Sequence, residues 1–532
     1  MRRRTFLAGS AAVGASSLLP HAISTATGAA PDTLRFVPNG DIANFDPIWG
    51  TAYSVRNAAL LVWDTLYGID ENLVPRRQMI ESDEVSPDGL VWTFTLRSGL
   101  TFHDGAMVTA SDAVASIRRW AGRDSIGQLI VAVQDKLEAL DDRRFRWTLK
   151  KPFPKMMLAL GKANAPCCFI MPERIAATDS TKMISEYVGS GPMRFVAKEW
   201  VVGAKAVFER FDGYRPRDEP SSWLAGGKRI AVQRIEWIIM PDPATAASAL
   251  QRGEVDWIER PLNDLMPLLS ADKGIRTGIA NKHGNVSGIR FNHLQPPFND
   301  VRVRQAVLMA LDQTEYMQSI FGEQKDLWQP MYSFFTPGTP LYTEVGADNL
   351  KKERNFAAAK ALIAASTYKG EPIVMMVAQD NPTDKAVGDV TADLLKKLGM
   401  TVDYVATDFG TIQQRRQSKK PAAEGGWHIF FVSHAGTDCV NPAAYIGLRA
   451  RGEQSWFGWP NSPAVESGIA DWYAAGSPEA EKLAAEKINT AAFEDVVFAP
   501  TGFFLAKQAW RANLSGVVSA PYPQFWGVTK TG

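Results

Sequence analysis

The sequence predicts an α/β protein of several domains, and three observations carry that prediction. The chain has 532 residues, more than one hydrophobic core organises, so length alone implies about three domains. Strand and helix patterns alternate in the second half: Asp389 to Leu398 has helical spacing and Thr401 to Val405 follows as a strand, the order of an α/β lobe. Residues 87–121 read differently, as a strand pair feeding one helix.

Composition sets the class. Hydrophobic residues at 45% and charged residues at 22% describe an ordinary folded protein. Charge is balanced, 58 basic against 57 acidic residues, and no basic stripe with interleaved aromatics is present, so no nucleic-acid partner is expected. The sixteen Trp residues offer flat apolar area with one donor each, suited to ligand walls and to cores alike.

The first thirty residues read as an export signal. Arg2-Arg3-Arg4 precedes an apolar run from Phe6 to Leu19, too short and glycine-rich to span a bilayer, and small residues follow to Ala30. Arg3-Arg4-Thr5-Phe6-Leu7 resembles the twin-arginine motif. None of the three cysteines, Cys167, Cys168 and Cys439, lies in this segment, so a periplasmic protein without a lipid anchor is expected. Cys167 and Cys168 are adjacent and rarely pair with each other, and an odd count points to free, buried thiols.

Thr33 to Val37 is a short strand, Asn44-Phe45-Asp46-Pro47 a loop, and Asn57 to Tyr67 an apolar helix. Pro87-Asp88-Gly89 is turn chemistry. Trp92, Phe94 and Leu96 then alternate with Thr93, Thr95 and Arg97, the period of a half-buried strand. Ser98-Gly99 reverses the chain, Leu100 to Phe102 returns, and His103-Asp104-Gly105 turns it again. Thr109 with Asp112 three residues on can cap a helix that places Ala113, Val114, Ile117, Trp120 and Ala121 on one face.

The run DGLVWTFTLRSGLTFHDGAMVTASD, residues 88–112, closely resembles the signature of the family 5 solute-binding proteins of ABC importers, the peptide and nickel binders. Further segments resemble that family in order: the loop at Asp46 with Gly50, Thr51 and Tyr53, the hairpin through Phe145, Trp147 and Leu149, GSGPMRF at Gly189 to Phe195, ALQRGEVD at Ala249 to Asp256, and FN…PFNDVRVRQA at Phe291 to Ala306. Gly189 to Phe195 lacks the Lys of a phosphate loop and Pro192 removes an amide donor; it reads better as a tight crossing between domains. Gly253 is the expected helix stop, because glycine takes the left-handed cap cheaply. Ala357 to Ala365 and Pro478 to Glu494 are further helices, and Val497 to Phe504 is expected to return to the first domain.

The resemblance implies a type II periplasmic binding protein fold: two α/β lobes joined by a hinge, plus an inserted third domain. It divides the chain into the export signal, 1–30; domain I, 31–66, 190–282 and 495–532; an inserted domain II, 67–189; and domain III, 283–494. It places the hinge at Asn281 to Gly284 and Ala499 to Gly502. It also implies a monomer that delivers a small molecule or short peptide to permease subunits in the inner membrane. No enzyme is expected, since no G-x-S-x-G, H-E-x-x-H or Walker A motif occurs, and no cofactor.

The segment Gly425 to Tyr445, GGWHIFFVSHAGTDCVNPAAY, carries the expected site. Ile429 to Val432 is a buried strand and Ser433 to Asp438 the loop leaving it. Peptide-binding relatives carry GW-x-x-D-x-x-DP here, with the aspartate on the ligand's ammonium; Thr437-Asp438 and Asn441-Pro442 fit that pattern. His434 stands near the place of the loop Trp, and Cys439 replaces an aromatic or polar neighbour. The resemblance thus implies a ligand set of Asp438, Thr437, His434, Cys439, Trp427, Gly50, Thr51 and Tyr53. Two alternatives stay open: Asp438 as a turn or helix-cap carboxylate, and His428, His434, Asp438 and Cys439 as ligands of a nickel, haem or other metal complex, although H-x5-H-x3-DC matches no regular metal spacing.

Overall fold

Two large sheets and one small one organise the chain. The computed structural model describes residues 32–50 and 52–531; the expected export signal and Thr51 lie outside them. The first lobe holds a seven-stranded sheet in the order Ile275–Ile279, Lys507–Arg511, Trp257–Ile258, Thr33–Val37, Arg234–Ile238, Lys205–Arg210, Met193–Phe195. Thr33–Val37 is parallel to both neighbours. The second lobe has six strands in the order Trp328–Gln329, Ala499–Phe504, Asn285–Phe291, Ile429–Ala435, Ile373–Ala378, Val402–Thr407. A four-stranded antiparallel sheet, Ile80–Val85, Val91–Leu96, Arg144–Leu149, Gln134–Ala139, forms the inserted unit. Among the described residues no helix is long and apolar enough to cross a membrane.

The locally coded features form as the sequence predicts. Trp92, Phe94 and Leu96 turn inward from Val91–Leu96, and Phe94 stacks on Phe145 across the ladder, 4.8 Å between rings. Thr109 and Asp112 close a reciprocal capping box on the helix Ala110–Ala121, which buries all five residues of its predicted face. Gly253 ends Pro243–Arg252 in the left-handed conformation, φ 74°.

Four expectations change. The first helix runs over Tyr53–Val62 rather than Asn57 to Tyr67, because the Val62 carbonyl accepts from the Gly191 amide at 2.8 Å. That contact also explains the glycines of the 189–195 segment: a Cβ on Gly189 would lie 1.9 Å from the Val62 oxygen. Leu100 to Phe102 makes a single bridge, Thr101 to Met107, instead of a strand. The helix expected from Asp389 starts earlier, at Pro382, capped by Asn381.

Ala499–Phe504 stays in the second lobe instead of returning to the first. Every residue of it is buried, and Asn285–Phe291 and Trp328–Gln329 pair with its two edges. The chain crosses only afterwards, at Leu505 and Ala506, to reach Lys507–Arg511 in the first sheet. The other crossing is Ala280 to Gly284, and the Ala280 amide donates to the Ala506 carbonyl at 2.8 Å. The two connections therefore run side by side, and the expected hinge shifts from Ala499–Gly502 to Leu505–Ala506.

Candidate functional site

Groups from both lobes and the inserted unit meet at the C-terminal end of Ile429–Ala435. This strand is buried apart from the half-buried Ser433; it pairs along its length with Asn285–Phe291 and at Ile429 with Met375 of Ile373–Ala378. It runs three residues past Val432, so His434 lies on the strand rather than in a loop. Gly436–Cys439 follows as a short 3-10 turn, and the approach is so close that a Cβ on Gly436 would lie 1.7 Å from the His283 carbonyl oxygen.

That turn presents Asp438 to the first lobe. The Tyr53 hydroxyl donates to Asp438 Oδ2 at 2.5 Å and accepts from the Ala435 amide at 3.4 Å. Asp438 Oδ1 is sealed from solvent without a partner, as are Thr437 Oγ1 and the hydroxyls of Tyr445 and Tyr522. Each such group costs about 1–3 kcal/mol if nothing satisfies it, so this cluster calls for partners from water or from a bound molecule. Burial raises the Asp438 carboxyl above its ordinary range, and the Arg56 charge, the Tyr53 hydrogen bond and the Lys162 charge oppose that rise.

Arg56 is the main residue that reading the sequence missed. It lies one helical turn after Tyr53, with its guanidinium 4.9 Å from the tyrosine ring. It donates to the Ala163 carbonyl of the inserted unit and the Pro521 carbonyl of the C-terminal segment, at 3.2 and 2.9 Å. A charge inside the apolar run of Tyr53–Val62 was the available signal. Asn164 also went unnoticed; its Nδ2 donates to the Ala444 carbonyl of the second lobe at 3.1 Å.

The structure brings Tyr53, Thr437, Asp438 and Cys439 together. His434 joins them through Tyr445, 5.3 Å between rings. Gly50 lies in the loop before Tyr53, where its amide donates to the Asp46 carbonyl at 3.1 Å. Trp427 stands apart, fully buried at the other end of the strand against Phe430 and Trp459. The four candidate metal ligands are not gathered: His428 Nδ1 accepts from the Val374 amide at 2.9 Å, and five residues separate it from His434, six strand steps or ~20 Å. Among the described residues no three His, Cys, Asp or Glu side chains could hold a metal ion together. The three cysteines are free and buried, and burial pushes the Cys167 thiol up to about 11.

Comparison with known proteins agrees with this architecture. The chain is 33% identical over 531 residues, 99% of each chain, to a protein of Sinorhizobium fredii named a probable peptide ABC transporter periplasmic-binding protein. Among solved structures, a dipeptide-binding protein from Pseudoalteromonas sp. SM9913 in complex with Met-Leu superposes with a TM-score of 0.78 at 17% identity, covering 94% of this chain and 100% of that one. A Campylobacter jejuni protein in complex with Ni(L-His) does so with a TM-score of 0.76 at 17% identity, covering 94% and 100%. These two likenesses show the type II periplasmic binding protein fold. With residues 74–450 matching the model described as bacterial extracellular solute-binding proteins, family 5 middle, and a relative similar from end to end, the chain belongs to the family 5 extracellular solute-binding proteins.

Proposed function

We propose that the protein is the substrate-binding component of an ABC importer, exported to the periplasm without a lipid anchor, and that it captures a short peptide or peptide-like amine between its lobes. It acts as a carrier, with the membrane permease as its partner and no reaction of its own. One observation supports this reading above the rest: Asp438 offers a solvent-sealed, unpartnered oxygen at the seam while its other oxygen is held by Tyr53 of the opposite lobe. A ligand ammonium would satisfy that oxygen, and Thr437 Oγ1 and the Tyr445 and Tyr522 hydroxyls would serve the ligand's amides. Because the ligand touches both lobes, it stabilises the closed form by its differential affinity for that form.

The test is to mix the purified protein with a defined pool of tripeptides, read the complexes by native mass spectrometry and record small-angle scattering. Captured peptides and a smaller radius of gyration are expected. An unchanged profile with no peptide captured overturns the reading, and capture of Ni(L-His) instead would establish the metal-complex alternative.

The raised carboxyl of Asp438 gives this reading a pH dependence. In the unliganded protein the elevation weighs against folding above the ordinary carboxylate range and is relieved as pH falls. For binding the sign reverses, since only the ionised form attracts an ammonium. Affinity for an amine should therefore rise with pH through the raised pKa, by at most about tenfold per unit for one coupled proton, and be lost below it. Calorimetry across a pH series, in buffers of different ionisation heat, would show proton release in that window; a flat profile would argue that Asp438 does not meet the ligand.

A further inference from the structure

The inserted unit reaches the second lobe through one short segment, residues 153–164. Its centre is the helix Met156–Gly161, seated so closely on its own unit that a Cβ on Gly161 would lie 2.8 Å from the Tyr67 Cβ. Lys155, at the head of that helix, donates to Glu481 Oε1 of the second lobe, and its ammonium lies 4.9 Å from the Trp472 ring. Phe153 packs on Tyr473, 5.9 Å between ring centroids. The receiving side is built in advance. Trp472 and Tyr473 lie in the last turn of the helix Pro463–Ala474, and Glu481 in the first turn of Pro478–Asp495. The Trp472 indole N–H donates to Glu481 Oε2 at 3.1 Å, so the carboxylate is aimed by its own lobe and Oε1 is left for the ammonium. The second of these helices is tied to the lobe by Phe493 on Phe334, 4.8 Å between rings, and by Arg304, which donates to the Asp495 carbonyl at 2.8 Å.

Burial separates this contact from the permanent ion pairs of the molecule. The Lys155 and Glu481 side chains keep 12% and 28% of their surface exposed, against 0% and 3% for Lys228 and Asp64. Parting the fully buried pair would strand a charge in the interior. Parting Lys155 from Glu481 returns the ammonium to water and leaves the carboxylate its indole partner, so no charge is stranded. Phe153 is buried and loses apolar contact with Tyr473 on separation, which favours the closed arrangement. The contact is thus one that opens and recloses, and neither Phe153 nor Lys155 belongs to the group around Asp438.

We propose that Phe153 and Lys155 form a clasp by which the inserted unit holds the second lobe shut before any ligand arrives. The clasp populates the closed form of the ligand-free protein, and apparent affinity scales with the fraction of molecules in the binding-competent form. It therefore strengthens the binding of every ligand by one common factor, from outside the ligand site. An ion pair with partly exposed members is screened by salt, so the clasp loosens as ionic strength rises. Ion pair and cation–π contact together set the closed-to-open ratio by about tenfold. The inference rests on closure of the lobes over a ligand, as in the reading above, and is independent of what the ligand is.

The first test uses no ligand. A carbodiimide joins an amine to a carboxylate only where the two are in contact, and peptide mapping of the treated protein should find Lys155 joined to Glu481. Small-angle scattering in low salt should show a larger radius of gyration for Lys155→Gln than for the wild type. Molar NaCl should expand the wild type toward the variant and leave the variant unchanged; a salt bridge with a merely structural role would lower the melting temperature without moving the radius. Glu481→Gln repeats the comparison from the second lobe and decides if Lys155→Gln does not fold. The second test titrates the tripeptide pool: Lys155→Gln should weaken every captured peptide by the same factor, up to about tenfold. Identical scattering of the wild type and both variants across the salt series overturns the clasp, as does the lack of a cross-link between Lys155 and Glu481 without ligand. Weakening confined to some peptides would make Lys155 a ligand contact and overturn it as well. Because cross-linking and scattering need no ligand, failure of the peptide reading leaves the clasp standing, and failure of the clasp leaves the peptide reading standing.

Discussion

Asp64→Ala should destabilise the protein by about 3–5 kcal/mol, the cost of removing one member of a buried ion pair. Asp64 lies just past the first helix, where the first lobe meets the inserted unit. Its Oδ1 accepts from Lys228 Nζ at 2.7 Å and its Oδ2 from the Tyr214 hydroxyl at 2.8 Å and Gln78 Nε2 at 3.3 Å. Lys228 is 0% and Asp64 3% exposed at the side chain, and the ammonium also lies 5.3 Å from the Trp526 ring. Without the carboxylate, a buried cation, a phenol and an amide lose their partner together. Thermal melting of the whole chain should show the loss, and Asp64→Ala with Lys228→Met should recover much of it, since no charge is then stranded. A single variant that melts with the wild type would mean that water reaches the pair.

The second large effect is on binding. Asp438→Asn keeps the shape of the side chain and removes its charge, so a ligand ammonium buried by closure loses its counter-ion. Truncating one partner of such a pair costs roughly 2–5 kcal/mol, at least about thirtyfold in affinity. An N-acetylated peptide has no ammonium; it should bind the wild type poorly and lose little more on mutation. Calorimetric titration of free and acetylated peptide against both proteins makes the comparison. Equal losses for the two ligands would make Asp438 a structural carboxylate, whose task is to hold Tyr53 across the seam.

The contrast between what the sequence announced and what it concealed follows the range of each interaction. The capping box at Thr109 and Asp112, the glycine stop at Gly253 and the inward alternation of Trp92, Phe94 and Leu96 were legible because their partners lie within a few residues or follow from strand period. The turn carrying Thr437 and Asp438 was legible in the same way, as a local run beside Asn441-Pro442. Trp427 was drawn into the expected site only by its nearness in sequence to that run, whereas strand direction carries it to the far end, into an aromatic cluster.

By itself, then, the sequence determined the family, the three-part architecture and the carboxylate at the seam, since these rest on local patterns and on a word-level likeness. Only the tertiary structure decided that Ala499–Phe504 belongs to the second sheet, that Tyr53 meets Asp438 across 385 positions, and that Arg56 lies between the inserted unit and the C-terminal segment. The physical reason is that strand pairing and charge burial are settled between distant segments: a strand buried on both faces takes whichever edge the folded sheet offers, and an arginine's partners are known only when the chain has closed around it.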